Sequence, residues 1–498
     1  MRVLLVEPPI NSFTGFKKRG FPLGLCSLGT VLAEETGSYV RVLDADKIID
    51  FSENVDFTNQ RKRITTFLEG VNDLDNVVWK EIRRRIEAFK PDVVGITTMT
   101  LQYASALRVA QLVKEINRDC LVLVGGAHAN VMPELIVQWP SIDAAVKGEG
   151  EHALCAIVKN HAARKSLDGI PGVLTRQNAG SSCFPPLEVE DLDALPVPDR
   201  ALLLDAGKYS SEDLGLIMTS RGCPYKCAYC SNFTRKVRYR SVEKVIEEIR
   251  QVSTTYGTRQ FLIKDDSFTL KKLRVKEFSQ ALLDNAINIY WECTTRLDLI
   301  DDDLLSSMKK SGCNRVAVGI ESGDEKILEL INKKLNKEQI REKVQVLKRS
   351  GIFWTGYFLI GMPIETKESV YDTLKFMKEL DPPYAAVGVY KPYPGTKLYE
   401  KAKSLDLITH DVDNDYFFRT SPVDYFIRDP RQRSIYIDLQ EYDALVRSIE
   451  HEFEQHNKRV GKLVGRFISR FHVYKNDRAL LLRDAKLGMK WLVQGIGR

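Results

Sequence analysis

Two hydrophobic periods alternate along most of the chain. Over the first 155 residues, short apolar and β-branched runs at 2–6, 39–43, 93–97 and 121–124 have strand length. Between them, residues 23–35 and 103–117 repeat apolar positions every three or four residues, as a helix does. Gly37 follows the first helical stretch, where a left-handed terminal residue is expected. Strands separated by helices predict a doubly wound, Rossmann-like parallel sheet with its ligand beyond the carboxyl ends of the strands. Residues 156–205 lose the period. Gly169-Ile-Pro-Gly172, Cys183-Phe-Pro-Pro186 and Leu195-Pro-Val-Pro-Asp199 predict a linker with one hairpin.

The alternation returns at 206–400 with six strand-like runs, at 214–218, 260–263, 289–293, 315–320, 357–360 and 385–390. Ser241 and Gly257 bracket one intervening helix, and Asn336 with Gln339 forms a capping box for another that ends at Gly351. Six β/α units predict a partial (β/α)6 barrel with its active site at the carboxyl ends of the strands. Residues 401–498 form the last expected domain, helical at 439–455 and 463–492. The expected fold class is therefore α/β, with a helical C-terminal domain.

Composition adds little until charge is placed along the chain. With 498 residues, 44% hydrophobic and 28% charged, this is an ordinary globular chain of about three domains. No apolar run approaches the ~18 residues that cross a bilayer, and Met1-Arg-Val-Leu-Leu-Val-Glu-Pro-Pro9 does not read as a signal peptide. A cytoplasmic location is expected. Residues 457–498 hold eleven Lys/Arg against two Asp/Glu, so the tail carries +9 of a total of +6 and the rest sums to −3. The tail interleaves these cations with Phe467, Ile468, Phe471, Tyr474, Leu480–Leu482, Met489, Trp491 and Leu492. A solvated helical cap is the favoured expectation, and an amphipathic surface that meets an anionic substrate, a carrier or a membrane face the alternative. No zinc-finger, helix-turn-helix or RNA-recognition signature is apparent, so nucleic acid is not an expected partner.

Nine cysteines, an odd number in a long chain read as unsecreted, argue against a disulfide framework. Only Cys223, Cys227 and Cys230 cluster. Three thiolates at spacings of four and three residues can hold three corners of a [4Fe–4S] cube and leave one iron open to an external ligand. A zinc site is the competing reading, but it wants four ligands, and no His or fourth Cys lies close in sequence.

Thr219-Ser-Arg-Gly-Cys-Pro-Tyr-Lys-Cys-Ala-Tyr-Cys230, opening a six-unit β/α region, resembles the radical S-adenosylmethionine (SAM) superfamily over about residues 214–400. The resemblance implies that the open iron chelates SAM and that an electron from the cluster yields a 5′-deoxyadenosyl radical, which takes hydrogen from a substrate. It also implies cofactor contacts at successive strand ends. These are Tyr229 beside the adenine; Asp265 and Asp266 in Lys264-Asp-Asp-Ser-Phe268 at the SAM ammonium; Arg296 in Thr294-Thr-Arg-Leu-Asp298 at the SAM carboxylate; Glu321 and Ser322 at ribose or amine; and Gly361 in Leu359-Ile-Gly-Met-Pro-Ile-Glu365 on the adenine side. Tyr390 and Tyr393, the latter in Pro392-Tyr-Pro-Gly-Thr396, are the candidate catalytic, substrate-facing residues.

Residues 1–155 resemble the cobalamin-binding domain of cobalamin-dependent radical SAM enzymes. Pro91-Asp-Val-Val-Gly-Ile-Thr-Thr-Met99, Leu123-Val-Gly-Gly-Ala-His128 and Val146-Lys-Gly-Glu-Gly-Glu151 carry the likeness. It implies cobalamin contacts at Thr97, Thr98, Met99, Gly125, Gly126, Gly148 and Glu149. The Asp-x-His-x-x-Gly run that supplies a cobalt ligand in other cobalamin modules is absent, with Glu7-Pro-Pro9 near its place. The expected cofactors are a [4Fe–4S] cluster, SAM and cobalamin. The expected activity is C-methyl transfer to an unactivated carbon of a small or carrier-bound substrate. It calls for an external one-electron reductant of flavodoxin or ferredoxin type. The alternatives are a cyclase, ring-contracting or other oxidoreductase using the same cofactors without methyl transfer, then a tRNA methylthiotransferase, and last a corrinoid carrier without catalysis.

Overall fold

The computed structural model describes residues 1–15, 18–49, 60–180, 186–232, 234–409, 412–438, 440–475, 481–482 and 485–486. The chain divides into two compact units, Met1–Leu214 with Asp411–Tyr425, and Gly215–His410 with Phe426–Arg498.

In the first unit, β1 (Arg2–Glu7), β2 (Tyr39–Asp44), β3 (Val93–Thr97), β4 (Leu121–Gly125), β5 (Ala144–Val146) and β6 (Val173–Thr175) form one sheet in the order β2-β1-β3-β4-β5-β6. Every pair is parallel except β5 with β6. Val3, Leu4, Leu5 and Val6 are all buried. Since alternate strand residues face opposite ways, both faces of β1 are covered, which is why the strand reads as a continuous apolar run. The strand order reverses at β1, so the crevice beyond the carboxyl ends of β1 and β3 is the position where such sheets bind ligands.

A helix at Val77–Phe89 was absent from the pattern reading. Its N-cap Asn76 accepts from the Val78 N–H (3.1 Å), and Val78, Trp79, Ile82, Ile86 and Phe89 are buried along one face. Residue 155, the expected domain end, sits inside the helix Gly150–Ala162. The stretch expected as linker continues through β6 and two short 3-10 turns, Leu192–Ala194 and Arg200–Leu202, and Leu203 bridges Val42 of β2. Cys183 lies outside the described residues.

In the second unit, β7 (Leu216–Ile217), β10 (Gln260–Ile263), β11 (Tyr290–Thr295), β12 (Cys313–Glu321), β13 (Phe353–Ile360) and β14 (Tyr384–Val389) form a six-stranded sheet in strict sequence order, every pair parallel. This is the progression of a (β/α) barrel left open between its first and last strands. Two further strands, β8 (Ser220–Arg221) and β9 (Arg238–Tyr239), pair as a separate antiparallel ribbon.

The helices between barrel strands begin and end where side chains dictate. Ser241 caps Val242–Tyr256 by accepting from the Lys244 N–H (3.3 Å), and Gly257 closes it in the left-handed conformation. Asn336 and Gln339 form the reciprocal box on Lys337–Ser350, with bonds of 2.9 and 3.0 Å. The helix Tyr442–Lys458 packs on β14, where the Asn457 amide bonds both the N–H and C=O of Ala385 (2.9 and 2.7 Å). It thereby pairs backbone groups that an edge strand would otherwise leave open.

Beyond it, Val460–Ser469 and Phe471–Tyr474 are separate helices. The expected single helix at 463–492 is thus interrupted at Arg470, and Leu480, Met489, Trp491 and Leu492 lie outside the described residues. No helix among the described residues is long and apolar enough to cross a membrane.

Candidate active site

The cysteine loop is pinned at both ends. It leaves β7, runs through β8 and returns through β9. Gly222 enters it at φ 97°, and a Cβ there would meet the Lys236 carbonyl oxygen at 2.3 Å, so a side chain would force the two arms of the loop apart. Backbone bonds fix the rest: Cys223 N–H to Thr234 O (3.0 Å), Cys230 N–H to Cys227 O (3.1 Å) and Ala228 N–H to Ile331 O (2.9 Å). Cys223, Cys227 and Cys230 are free thiols of intermediate burial. Among the described residues, no three His, Cys, Asp or Glu side chains are arranged around a single metal ion. Three thiols on one pinned loop suit a cube, in which each thiolate holds its own iron.

Asp265, at the exit of β10, departs from its expected role. Its carboxylate accepts from Thr219 N–H (2.6 Å), Thr219 Oγ1 (2.6 Å) and Ser220 Oγ (2.7 Å), and it is 4% exposed. Arg274 donates to Thr219 Oγ1 and O, both at 3.2 Å. Asp265 therefore anchors the start of the cysteine loop and does not face a ligand. Asp266 is exposed and accepts from Asn232 Nδ2 (2.7 Å), just after Cys230.

Arg296 departs as well. Nε and Nη2 donate to the two carboxylate oxygens of Asp298 (2.9 and 3.2 Å), Nη2 also to the Lys333 carbonyl (2.7 Å), and Nη1 to Cys227 Sγ (3.7 Å). Its fork is occupied by a carboxylate of this chain where the sequence reading expected that of SAM.

Glu321 stands at a register shift between β12 and β13, in the left-handed conformation (φ 71°). Its Oε1 accepts from Tyr229 OH (2.9 Å) and Lys333 Nζ (2.8 Å). Burial and this carboxylate push the Tyr229 hydroxyl well above its usual range. Lys333, 3% exposed, was missing from the sequence reading. It lies in a turn where Asn332 and Lys334 have positive φ, and no motif announces it.

Ser322 is fully buried against Thr373 Oγ1 (3.0 Å) and accepts from the Asp324 N–H (3.1 Å). It shapes the turn into the helix Glu325–Leu330 and does not present its hydroxyl to a ligand. Gly361 follows β13, and its N–H donates to Glu365, which also accepts from Met362 N–H (3.0 Å). Glu365 is completely buried, its Oε1 has no partner among the described residues, and burial pushes it up to about 8.

Tyr390 is 3% exposed and packed in the barrel core, with Arg433 donating to its carbonyl (3.3 Å). This is core packing, not the substrate-facing position expected. Tyr393 is half-buried, and its carbonyl accepts from Thr396 Oγ1 (2.8 Å).

In the first unit the expected cobalamin residues gather at three strand ends. Gly126 (φ 95°) lies so close to the end of β3 that a Cβ would meet Thr97 Oγ1 at 2.8 Å and Thr98 N at 2.9 Å. Thr98 is fully buried and its hydroxyl donates to Met99 O (2.9 Å), so it braces the turn, while Thr97 is half-buried and Met99 is 52% exposed. Gly125 has ordinary room beside Val146. Gly148 N–H donates to Asn130 Oδ1 (2.6 Å), and Glu149 accepts from Val189 N–H (2.6 Å).

At the exit of β1, Lys18 bridges Glu7 (2.5 Å) and Asp44 (3.0 Å). His128 is buried against Tyr103 and Phe417, and burial holds it down at about 3. The small and hydroxyl side chains at these strand ends, Thr97, Gly125, Gly126 and Gly148, fit the mouth of a cobalamin-binding sheet.

Residues 217–377 match the model of the radical SAM superfamily and residues 15–158 that of the B12 binding domain. An uncharacterized methyltransferase, PH0819, of Pyrococcus horikoshii is 34% identical, over 82% of this chain and 84% of its own. The anaerobic magnesium-protoporphyrin IX monomethyl ester cyclase of Rubrivivax gelatinosus is 30% identical, over 66% of this chain and 61% of its own. The solved structure of the radical SAM methyltransferase TsrM from Kitasatospora setae, with cobalamin and a [4Fe–4S] cluster bound, superposes with a TM-score of 0.66 at 17% identity, covering 92% of this chain and 99% of that one. The chain is an enzyme that belongs to the cobalamin-dependent radical SAM family, whose cofactors are a [4Fe–4S] cluster, SAM and cobalamin.

Proposed function

We propose that this enzyme is a C-methyltransferase acting on an unactivated carbon of a small or carrier-bound substrate. The observation that carries the reading is the cysteine triad on a pinned loop, in a chain that also has a B12-type sheet and a methyltransferase relative matched over most of its length. When bound, the cofactors supply a hydrogen-abstracting nucleoside radical and a transferable methyl group. The chain's own work is to hold and exclude. In this reading Cys223, Cys227 and Cys230 grip the cluster, and Asp265 with Arg274 fixes the loop that carries them. Tyr229, Asp266 and Glu321 face the SAM side. Thr97, Met99, Gly126, Gly148 and Glu149 shape the cobalamin side.

Anaerobically reconstituted protein given methyl-labelled SAM and a reductant should yield S-adenosylhomocysteine, 5′-deoxyadenosine and a labelled product. 5′-Deoxyadenosine alone, without label transfer, would favour the cyclase reading that the Rubrivivax relative suggests.

The family requires a substrate and a reductant. We take the reductant to be an external one-electron donor of flavodoxin or ferredoxin type. Contact with an anionic membrane face belongs to the same proposal. Val460, Val464, Phe467, Ile468 and Phe471 are exposed, and six Lys/Arg and no Asp/Glu occupy residues 457–475. Co-sedimentation with vesicles of one-third phosphatidylserine should retain the wild type and lose Ile468→Asp. Equal retention of both removes the membrane from the proposal.

A further inference from the structure

Arg296 is held from several directions at once. Its guanidinium has contacts on every side. Asp298 grips Nε and Nη2, the Lys333 carbonyl accepts a second bond from Nη2, and the Tyr225 ring lies 3.8 Å from the guanidinium carbon. The remaining nitrogen, Nη1, points at Cys227 Sγ at 3.7 Å. The residue is 7% exposed. A planar fork fixed on one edge by a carboxylate presents its other nitrogen in a defined direction. Here that direction is a sulfur of the triad.

From this arrangement we propose that Arg296 is a positioning residue that sets the reduction potential of the cluster through a charged hydrogen bond to the Cys227 sulfur. The proposal rests on the assignment of the triad to the cluster. One electron from the external donor makes the cluster one unit more negative. A buried guanidinium donating to a ligating sulfur stabilises that added charge, because its field is little screened by water. Asp298 and Tyr225 then serve to aim the guanidinium. Asp298 faces Nε and Nη2, away from the nitrogen that meets sulfur, and Tyr225 closes the face of the plane.

Potentiometric titration of the reconstituted protein without SAM, followed by electron paramagnetic resonance, tests this. Iron and sulfide content are measured on each sample. Arg296→Gln should hold four irons per chain and show a midpoint potential more negative than the wild type. Arg296→Lys, which keeps the charge but not the fork, should fall between them. An unchanged SAM-free potential in fully loaded Arg296→Gln overturns the proposal, and a fall confined to SAM affinity would return Arg296 to the SAM carboxylate. If Arg296→Gln fails to load, Arg296→Lys decides in its place: a negative shift supports the proposal and an unchanged potential overturns it. Absence of iron and sulfide in the wild type would instead defeat the cluster assignment.

Discussion

Cys227→Ala should reduce reductive cleavage of SAM by at least ~10³-fold, equivalent to more than about 4 kcal/mol of lost transition-state stabilisation. The thiolate it removes is the middle one of three, on a loop held by backbone bonds from Cys223, Ala228 and Cys230. A cube with two protein thiolates has lost one corner of its attachment, while the loop, still tied by Gly222, Thr234 and Ile331, cannot re-form to supply another. Among the described residues the other cysteines, Cys26, Cys120, Cys155, Cys293 and Cys313, are all buried elsewhere in the two units. Iron content and 5′-deoxyadenosine formation are the readouts. Cobalamin binding, read from the corrinoid absorbance after gel filtration, should be unchanged, because the B12-type match ends at residue 158 and the triad lies in the other unit. Retained cleavage in a variant lacking Cys227 would contradict the assignment of the triad.

The architecture was legible because it depends on local rules. Strand-length apolar runs, Ser241, Gly257, and the Asn336–Gln339 box each act within a few residues, and the structure has them where those rules put them. What the side chains at the strand ends do was legible only in part. Asp265, Arg296 and Ser322 all sit at strand ends as expected, but their partners come from elsewhere in the chain. Thr219 is 46 residues from Asp265, Cys227 is 69 from Arg296, and Thr373 is 51 from Ser322. A strand-end polar residue serves either a ligand or the neighbouring loop. Spacing along the chain does not distinguish the two, since both satisfy the same buried hydrogen-bonding demand. Lys333 shows the opposite failure. It has no motif, and only the fold brings it to Glu321. The ribbon of β8 and β9 was missed for a simpler reason: two residues per strand are too few to show a period.

Glu365 predicts a large pH effect on stability. Its carboxyl is fully buried. Oε2 accepts from the N–H groups of Gly361 and Met362, and desolvation raises its pKa from 4.5 to about 8. The folded state therefore keeps the proton over a pH range in which the unfolded chain has released it. The stabilisation is fully present below pH 4.5 and is lost progressively as pH rises through about 8. In that window the loss is about 1.4 kcal/mol per pH unit. Glu365→Gln keeps an amide oxygen for the two N–H groups, has nearly the same volume and does not titrate. Denaturant unfolding of wild type and variant at pH 5.5 and 7.5 should show the wild type losing roughly 2–3 kcal/mol relative to the variant between the two. Taking the difference cancels every other titrating group, including Glu7, which burial raises to about 7 beside Lys18. Parallel pH dependence in the two proteins would mean that Glu365 is ionised in the folded state, held by the Gly361 and Met362 amides strongly enough to overcome its burial.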